Sequence, residues 1–192
     1  MQRFSFVSII MAILCLCWLG RAAGADDWQA KGTQGAVVAG GGEAVEAGLE
    51  ILKADGNAVD AAVASLLVLS VTDPGNFCFG GEVPILVYNA QRKSVEVIAG
   101  QGVAPRLATL DYFQAKGGIP RSGPEAAAVP AALDAMLVAL DRHGTLTFGR
   151  VSEPMLRVLA SKPDDWCKDL ARTIEQVVTA EKHSPGDRRR GL

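Results

Sequence analysis

Between Glu43 and Ala54 the apolar residues Val45, Leu49 and Leu52 recur at the three-to-four residue spacing that puts them on one face of a helix. Glu43 and Glu46 suit its first turn and Gly56 its end. Asn57 then offers a cap for a second helix from Ala58 to about Val71. There Val59, Ala62, Val63, Leu66 and Leu67 make one stripe, while Ala61, Ala64 and Leu69 make the remaining faces apolar too. A helix apolar nearly all round is buried on several sides, and at about 14 residues, with Asp60 in its first turn, this one is too short to span a bilayer.

The pattern changes on either side of this pair. Gly35 to Ala39 is a short apolar run bounded by glycines and predicts a buried strand. After the turn Asp73-Pro74-Gly75 and the pair Gly80-Gly81, the run Val83 to Tyr88 predicts another strand, which Pro84 confines to an edge or an irregular start. Ser94 to Ile98 alternates with it across a polar connection, and together they read as a β-hairpin. Further on the chain turns largely helical. Pro130 marks a helix start, and Leu133, Met136, Leu137 and Leu140 form a stripe that ends at Gly144. Ser152-Glu153-Pro154 begins or kinks a second of these helices, carrying Met155, Val158 and Leu159. Asp164 or Asp165 caps a last one, with Trp166, Leu170, Ile174 and Val177 facing inward. The order strand, two helices, hairpin, helices predicts an α+β layered fold, with a helix layer on a strand layer.

Composition supports a packed core: of 192 residues 49% are hydrophobic and 21% charged. Lys and Arg total 19 against 21 for Asp and Glu, so neither nucleic acid nor an anionic membrane surface is an expected partner. The run Arg188 to Arg190 reads as a solvated loop. Arg3, the apolar stretch Phe4 to Leu19 and the small-residue site Ala23-Gly24-Ala25 read as a signal peptide over residues 1–25, leaving 26–192 as the mature domain. That predicts export to a periplasm or the extracellular space, with no membrane anchor after cleavage. Export permits a disulfide between Cys78 and Cys167, and two buried free thiols fit equally well.

Local motifs supply little chemistry of their own. Gly40-Gly41-Gly42 lacks the third glycine of a dinucleotide fingerprint, since Val45 falls there, and lacks a P-loop lysine, so it reads as a turn. His143 and His183 lie far apart, and no HExxH, paired CxxC or carboxylate-histidine cluster marks a metal site. No cofactor is expected. No GxSxG elbow is present either.

The ordered set Gly35-Ala36-Val37-Val38, Ala47 to Leu52, and Gly56-Asn57-Ala58-Val59-Asp60-Ala61-Ala62-Val63-Ala64 closely resembles the opening of the gamma-glutamyltransferase family. The match continues through Gly80-Gly81, Leu86-Val87-Tyr88, Ala104-Pro105, Val129-Pro130 and Gly144-Thr145-Leu146. The resemblance implies part of a four-layer αββα N-terminal-nucleophile hydrolase, made as one precursor that cuts itself to expose a threonine. That threonine would attack a gamma-glutamyl amide, its own amino group acting as base. Nucleophile and oxyanion donors would both lie in the small subunit, so this chain carries no catalytic residue, and its end at Leu192 reads as a large-subunit part cut before its partner.

One departure bears on the substrate. Where the family has an Asp-Gly-Arg segment whose arginine grips the substrate α-carboxylate, this chain has Ala99-Gly100-Gln101. Glu82, Val83 and Pro84 likewise replace glycines and an aromatic. An amide offers neutral hydrogen bonds where a guanidinium makes a bidentate ionic pair. Gln101 is therefore the candidate substrate-binding residue, with a solvated strand-end residue as the alternative. Three readings follow: a gamma-glutamyl transferase or hydrolase, a related amidohydrolase or acylase with another substrate, and a catalytically inert secreted module.

Overall fold

The computed structural model describes residues 30–162 and 164–183. The predicted signal peptide, the arginine run and the chain end lie outside the described residues. Residues 1–36 and 37–192 are two separate units, and the described part of the first, residues 30–36, is exposed and irregular.

In the second unit, helices α1 (Gly42–Lys53) and α2 (Ala58–Thr72) form the predicted pair. They lie close because small residues meet: a Cβ on Gly48 would sit 2.5 Å from Ser65 Oγ and 2.8 Å from a Val37 methyl. Ser65 Oγ in turn donates to the Ala44 carbonyl at 2.7 Å, closing the same contact with a hydrogen bond. Helix α1 ends in a Schellman turn, in which Asp55 takes the left-handed position (φ 62°) and the Gly56 amide donates to the Ile51 carbonyl at 3.0 Å. Gly56 is needed there for space, since a Cβ would fall 2.8 Å from that carbonyl and 2.9 Å from Leu146 Cδ1. Asn57 caps α2 as expected, its Oδ1 accepting from the Val59 and Asp60 amides. The Asp60 carboxylate reaches back to the Asn57 amide at 2.9 Å and completes a capping box.

The hairpin also forms. Strands β1 (Ile85–Asn89) and β2 (Ser94–Ile98) pair antiparallel, Ile85 opposite Ile98 and Asn89 opposite Ser94. Strand β1 starts after Pro84, as the missing N–H requires. The inner face carries Ile85, Val87, Glu96 and the buried Ile98, and α4 (Ala132–His143) packs against β2. The outer face carries Leu86, Tyr88, Val95 and Val97, all exposed in spite of being apolar.

Beyond the hairpin, the short helix α3 (Leu110–Ala115) is capped by Thr109, and Pro124–Ala126 forms a 3-10 turn. Helices α5 (Phe148–Ala160) and α6 (Asp165–His183) complete the unit. The core lies where α2 is enclosed by α1, α4 and α5, around Ile51, Leu67, Met136, Leu140, Phe148 and Met155, all fully buried. Full burial of side chains of this size contributes about 1.5–3 kcal/mol each.

Four expectations need correction. Residues 35–39 pair with no strand; the hairpin is the only sheet among the described residues, and Val38 is 89% exposed although Val37 and Ala39 turn partly inward. The stretch from Ala99 to Ala131 is mostly loop rather than helix, because Gly and Pro recur through it, and α4 starts at Ala132. Helix α5 begins at Phe148, well before Pro154, because Thr147 and Glu181 cap it there; Pro154 lies buried inside the helix. On α6 the inward residues are Cys167, Ile174 and Val177, so Trp166 points to solvent at 55% exposure. Among the described residues no helix is long and apolar enough to cross a membrane.

Candidate functional site

Gln101 stands on a strap that leaves β2 and is clamped from both sides. The Val83 amide donates to the Gly100 carbonyl at 3.0 Å, and the Val129 amide donates to the Val103 carbonyl at 2.9 Å. The glycines flanking Gln101 make this possible. A Cβ on Gly100 would sit 2.2 Å from the Val83 carbonyl oxygen and 2.7 Å from Ala135 Cβ, and one on Gly102 would sit 2.1 Å from the Val129 carbonyl oxygen. Gly100 is buried and Gln101 exposed, so the backbone is fixed against its neighbours while the amide side chain is offered outward.

A charged cluster holds the same hairpin from its inner side. Glu96 on β2 pairs with Arg142, the penultimate residue of α4, and its other oxygen lies 3.2 Å from His143 Nε2. The hydrogen bond from Arg142, aided by the nearby charges of Arg142 and His143, holds the Glu96 carboxyl below the usual carboxylate range. The His143 carbonyl meanwhile accepts from Asn57 Nδ2 at 2.6 Å, which ties the end of α4 to the start of α2.

Asp60 is the joint of the whole arrangement. It is fully buried, and its carboxylate accepts from the Thr145 amide (3.1 Å), the Thr145 hydroxyl (2.7 Å) and the Leu146 amide (3.2 Å), besides the Asn57 amide. Gly144 lies so close that a Cβ there would be 2.7 Å from Asp60 Oδ1. A buried carboxylate is tolerated only when its lone pairs are met in this way. The sequence carried a signal for this role, Asn57 followed at the third position of the helix by an acid, but a capping box does not disclose the distant Thr145.

The remaining candidates do not join Gln101. The two described cysteines, Cys78 and Cys167, are free. The Cys167 amide donates to Asp164 Oδ1 at 2.9 Å, and burial, with a hydrogen bond to Asp164, pushes the Cys167 thiol up, away from a nucleophilic thiolate. His183 closes α6 against the Thr179 carbonyl. Gly41 and Gly42 open α1 with free space around them and no side-chain cap. Glu181, which the sequence did not single out, accepts from the Phe148 and Gly149 amides at 2.7 and 3.0 Å and so pins α6 to the N-terminus of α5.

A helix layer on a hairpin, with a glycine-flanked amide at the hairpin's exit and a buried Asp joining two helix starts, defines a mixed αβ scaffold that presents a site rather than encloses one. The sequence pattern of the family described as Gamma-glutamyltranspeptidase matches residues 44–184, and the chain belongs to that family. It is similar to the glutathione hydrolase proenzyme of Bacillus subtilis strain 168, 33% identical over 158 residues, covering 74% of this chain and 27% of the relative. It is also similar to the acylase ACY 1 proenzyme of Pseudomonas strain V22, 37% identical over 138 residues, covering 66% of this chain and 25% of the relative. Its fold is shared with Helicobacter pylori gamma-glutamyltranspeptidase, at a TM-score of 0.68 and 22% identity, covering 80% of this chain and 57% of that one. The chain spans about a quarter of the length of the first curated relatives it matches, 24% and 27% for two of them.

Proposed function

We propose that this chain is the N-terminal, large-subunit part of an exported N-terminal-nucleophile enzyme that transfers or hydrolyses the acyl group of gamma-glutamyl amides. In this reading the hairpin belongs to one sheet of an αββα sandwich. The nucleophilic threonine, its amino-group base and the oxyanion donors lie on the small subunit of the same precursor. The role left to this chain is to shape and orient. Asp60 and Glu96 fix the helices and the hairpin, and the strap presents Gln101 to a small-molecule amide substrate. The observation that carries the reading is the clamped strap itself, since two backbone hydrogen bonds and two sterically required glycines hold one outward-pointing polar side chain.

A second reading, an acylase acting on amides without a gamma-glutamyl group, is favoured by Gln101 being neutral and by the acylase relative. The third reading, an inert secreted module, requires a polypeptide that never cleaves itself. One experiment separates them: express the full-length polypeptide, look for self-cleavage into two chains, and compare turnover of gamma-glutamyl anilide with that of simple acyl anilides. Cleavage with gamma-glutamyl turnover supports the first reading, and cleavage with acyl turnover alone supports the second. A single uncleaved chain with no turnover leaves the third.

A further inference from the structure

We infer that His143 is a proton-operated clasp between the C-terminus of α4 and the hairpin whose strap carries Gln101. Glu96 presents two oxygens to the end of α4. One is taken by Arg142; the other faces the buried His143 Nε2 at 3.2 Å, the spacing of an ion pair once the ring is charged. The imidazole is only 12% exposed, whereas Arg142 is 53% exposed. A charge pair in the more shielded position is less screened by water than the open Arg142 contact.

With a neutral imidazole, the ionic tie seen between the hairpin and α4 among the described residues is the solvent-facing Arg142 pair, and exposed pairs of this kind contribute little. With a protonated imidazole, each Glu96 oxygen faces its own cation. The ring faces Glu96 on β2, sits in the last turn of α4, and has Asp141 on its own helix. Asp60 on α2 is near through Gly144 but already accepts from Asn57, Thr145 and Leu146. Arg142 is an opposing charge, and it is engaged by the same carboxylate. Because the Glu96 carboxyl is held low, chiefly by Arg142, it stays ionised across the range in which an imidazole titrates.

The sign follows from linkage. The restraint that a charged ring adds is present at the acid end of the ordinary imidazole range and is lost as pH rises through it. The consequence passes along the backbone, since β2 ends at the buried Ile98 and leads straight into the Gly100 clamp.

The test is hydrogen exchange at the β2 amides of the full-length polypeptide at pH 5.5 and pH 8, corrected for intrinsic exchange rates, in wild type, His143→Gln and Glu96→Gln. We expect β2 protection in the wild type to fall about threefold over that interval, in line with the size of a single partly exposed ion pair. Both variants are expected to show no such change. His183→Gln, at the far end of α6, is expected to behave as wild type. A wild-type hairpin whose protection does not depend on pH, or a dependence that survives in either the His143 or the Glu96 variant, overturns the inference. Should His143→Gln fail to fold, Glu96→Gln alone decides, since Glu96 is 37% exposed and its replacement leaves no buried gap.

Discussion

Asp60 and Thr145, 85 positions apart, are joined by the backbone amide and the side-chain hydroxyl of the threonine, both donating to one buried carboxylate. The contact locks the turn between α1 and α2 to the turn between α4 and α5, so that two stretches by which the family is recognised meet at a single carboxylate. Replacing Asp60 with Ala removes the acceptor of the Asn57 and Thr145 amides, a loss of about 3 kcal/mol or more. Thr145→Val removes only the hydroxyl bond and is expected to cost about 1–2 kcal/mol. Urea melts of the two single variants and the double should be strongly non-additive, because both changes break one network. Additive losses would argue that the joint is not shared.

How far the sequence disclosed this architecture depends on the range over which each element is decided. The α1–α2 pair was legible because the Asn57 cap and the Gly56 stop are local, although the buried face of α1 runs through Ala44, Ala47, Gly48 and Ile51 rather than through Val45, Leu49 and Leu52, which are only half-buried. The hairpin was legible because its two strands alternate across a short polar turn. What stayed hidden was set at a distance. Helix α5 begins at Phe148 because Glu181, from the end of another helix, meets its first amides, and nothing near Phe148 announces that. Trp166 was placed inward by helical spacing, but Cys167 holds that position, a shift of one residue that rotates a helix face by about 100°. Gln101 was visible as a departure from a family pattern. That Gly100 and Gly102 clamp it was not.

That clamp predicts a contrast among glycines. Gly100→Ala forces a methyl to within 2.2 Å of a backbone oxygen that cannot swing aside, so the strap must move. The expected loss is about 1–3 kcal/mol in stability, with impaired turnover on any substrate that touches Gln101. Gly41→Ala is the control: nothing lies within 4 Å of its added carbon and its φ of −160° is open to any residue. Its melting temperature is expected to stay near wild type, within about 0.5 kcal/mol in stability. Equal effects at the two positions would count against the clamp.

Glu181 invites a test of how α6 is held. Its carboxylate meets the first amides of α5, so Glu181→Ala removes a charge-assisted cap worth about 1 kcal/mol. The residues buried along α6, Cys167, Ile174 and Val177, keep the rest of that helix in place. The predicted outcome is therefore local. Hydrogen exchange should quicken near Phe148 and in the last turns of α6 while the α2 core is unchanged, and uniform quickening across the chain would show that the cap is a global rather than a local support.

The outer face of the hairpin has the opposite problem, since it is apolar and uncovered. Leu86 pairs with Val97 and Tyr88 with Val95, and all four are at least 60% exposed, so the described chain offers water a contiguous apolar sheet surface. The 192-residue chain expressed alone is expected to associate at micromolar concentration, and Leu86→Lys with Val97→Lys to reduce that association. In the full-length polypeptide the same pair of lysines is expected to do harm, lowering the yield of folded, self-cleaved protein, because the face is then needed for packing. Improved behaviour in both settings would mean that the face is meant for solvent, and the sandwich reading would fail with it.

An arginine in place of Gln101 would change how the strap meets a carboxylate. A guanidinium forms two charge-assisted bonds to a carboxylate where the amide forms neutral ones, and the strap already holds the side chain outward, so no rebuilding of the backbone is needed. If the site accepts a gamma-glutamyl group, Gln101→Arg in the full-length enzyme should raise kcat/KM for gamma-glutamyl anilide about tenfold, the equivalent of roughly 1.4 kcal/mol of transition-state stabilisation. Turnover of an acyl anilide lacking the α-carboxylate should be unchanged or lower. The ratio between the two substrates is the informative quantity, because a loss of stability would depress both alike. A ratio that does not move would place Gln101 outside the substrate pocket and leave it as a solvated residue at the end of a strand.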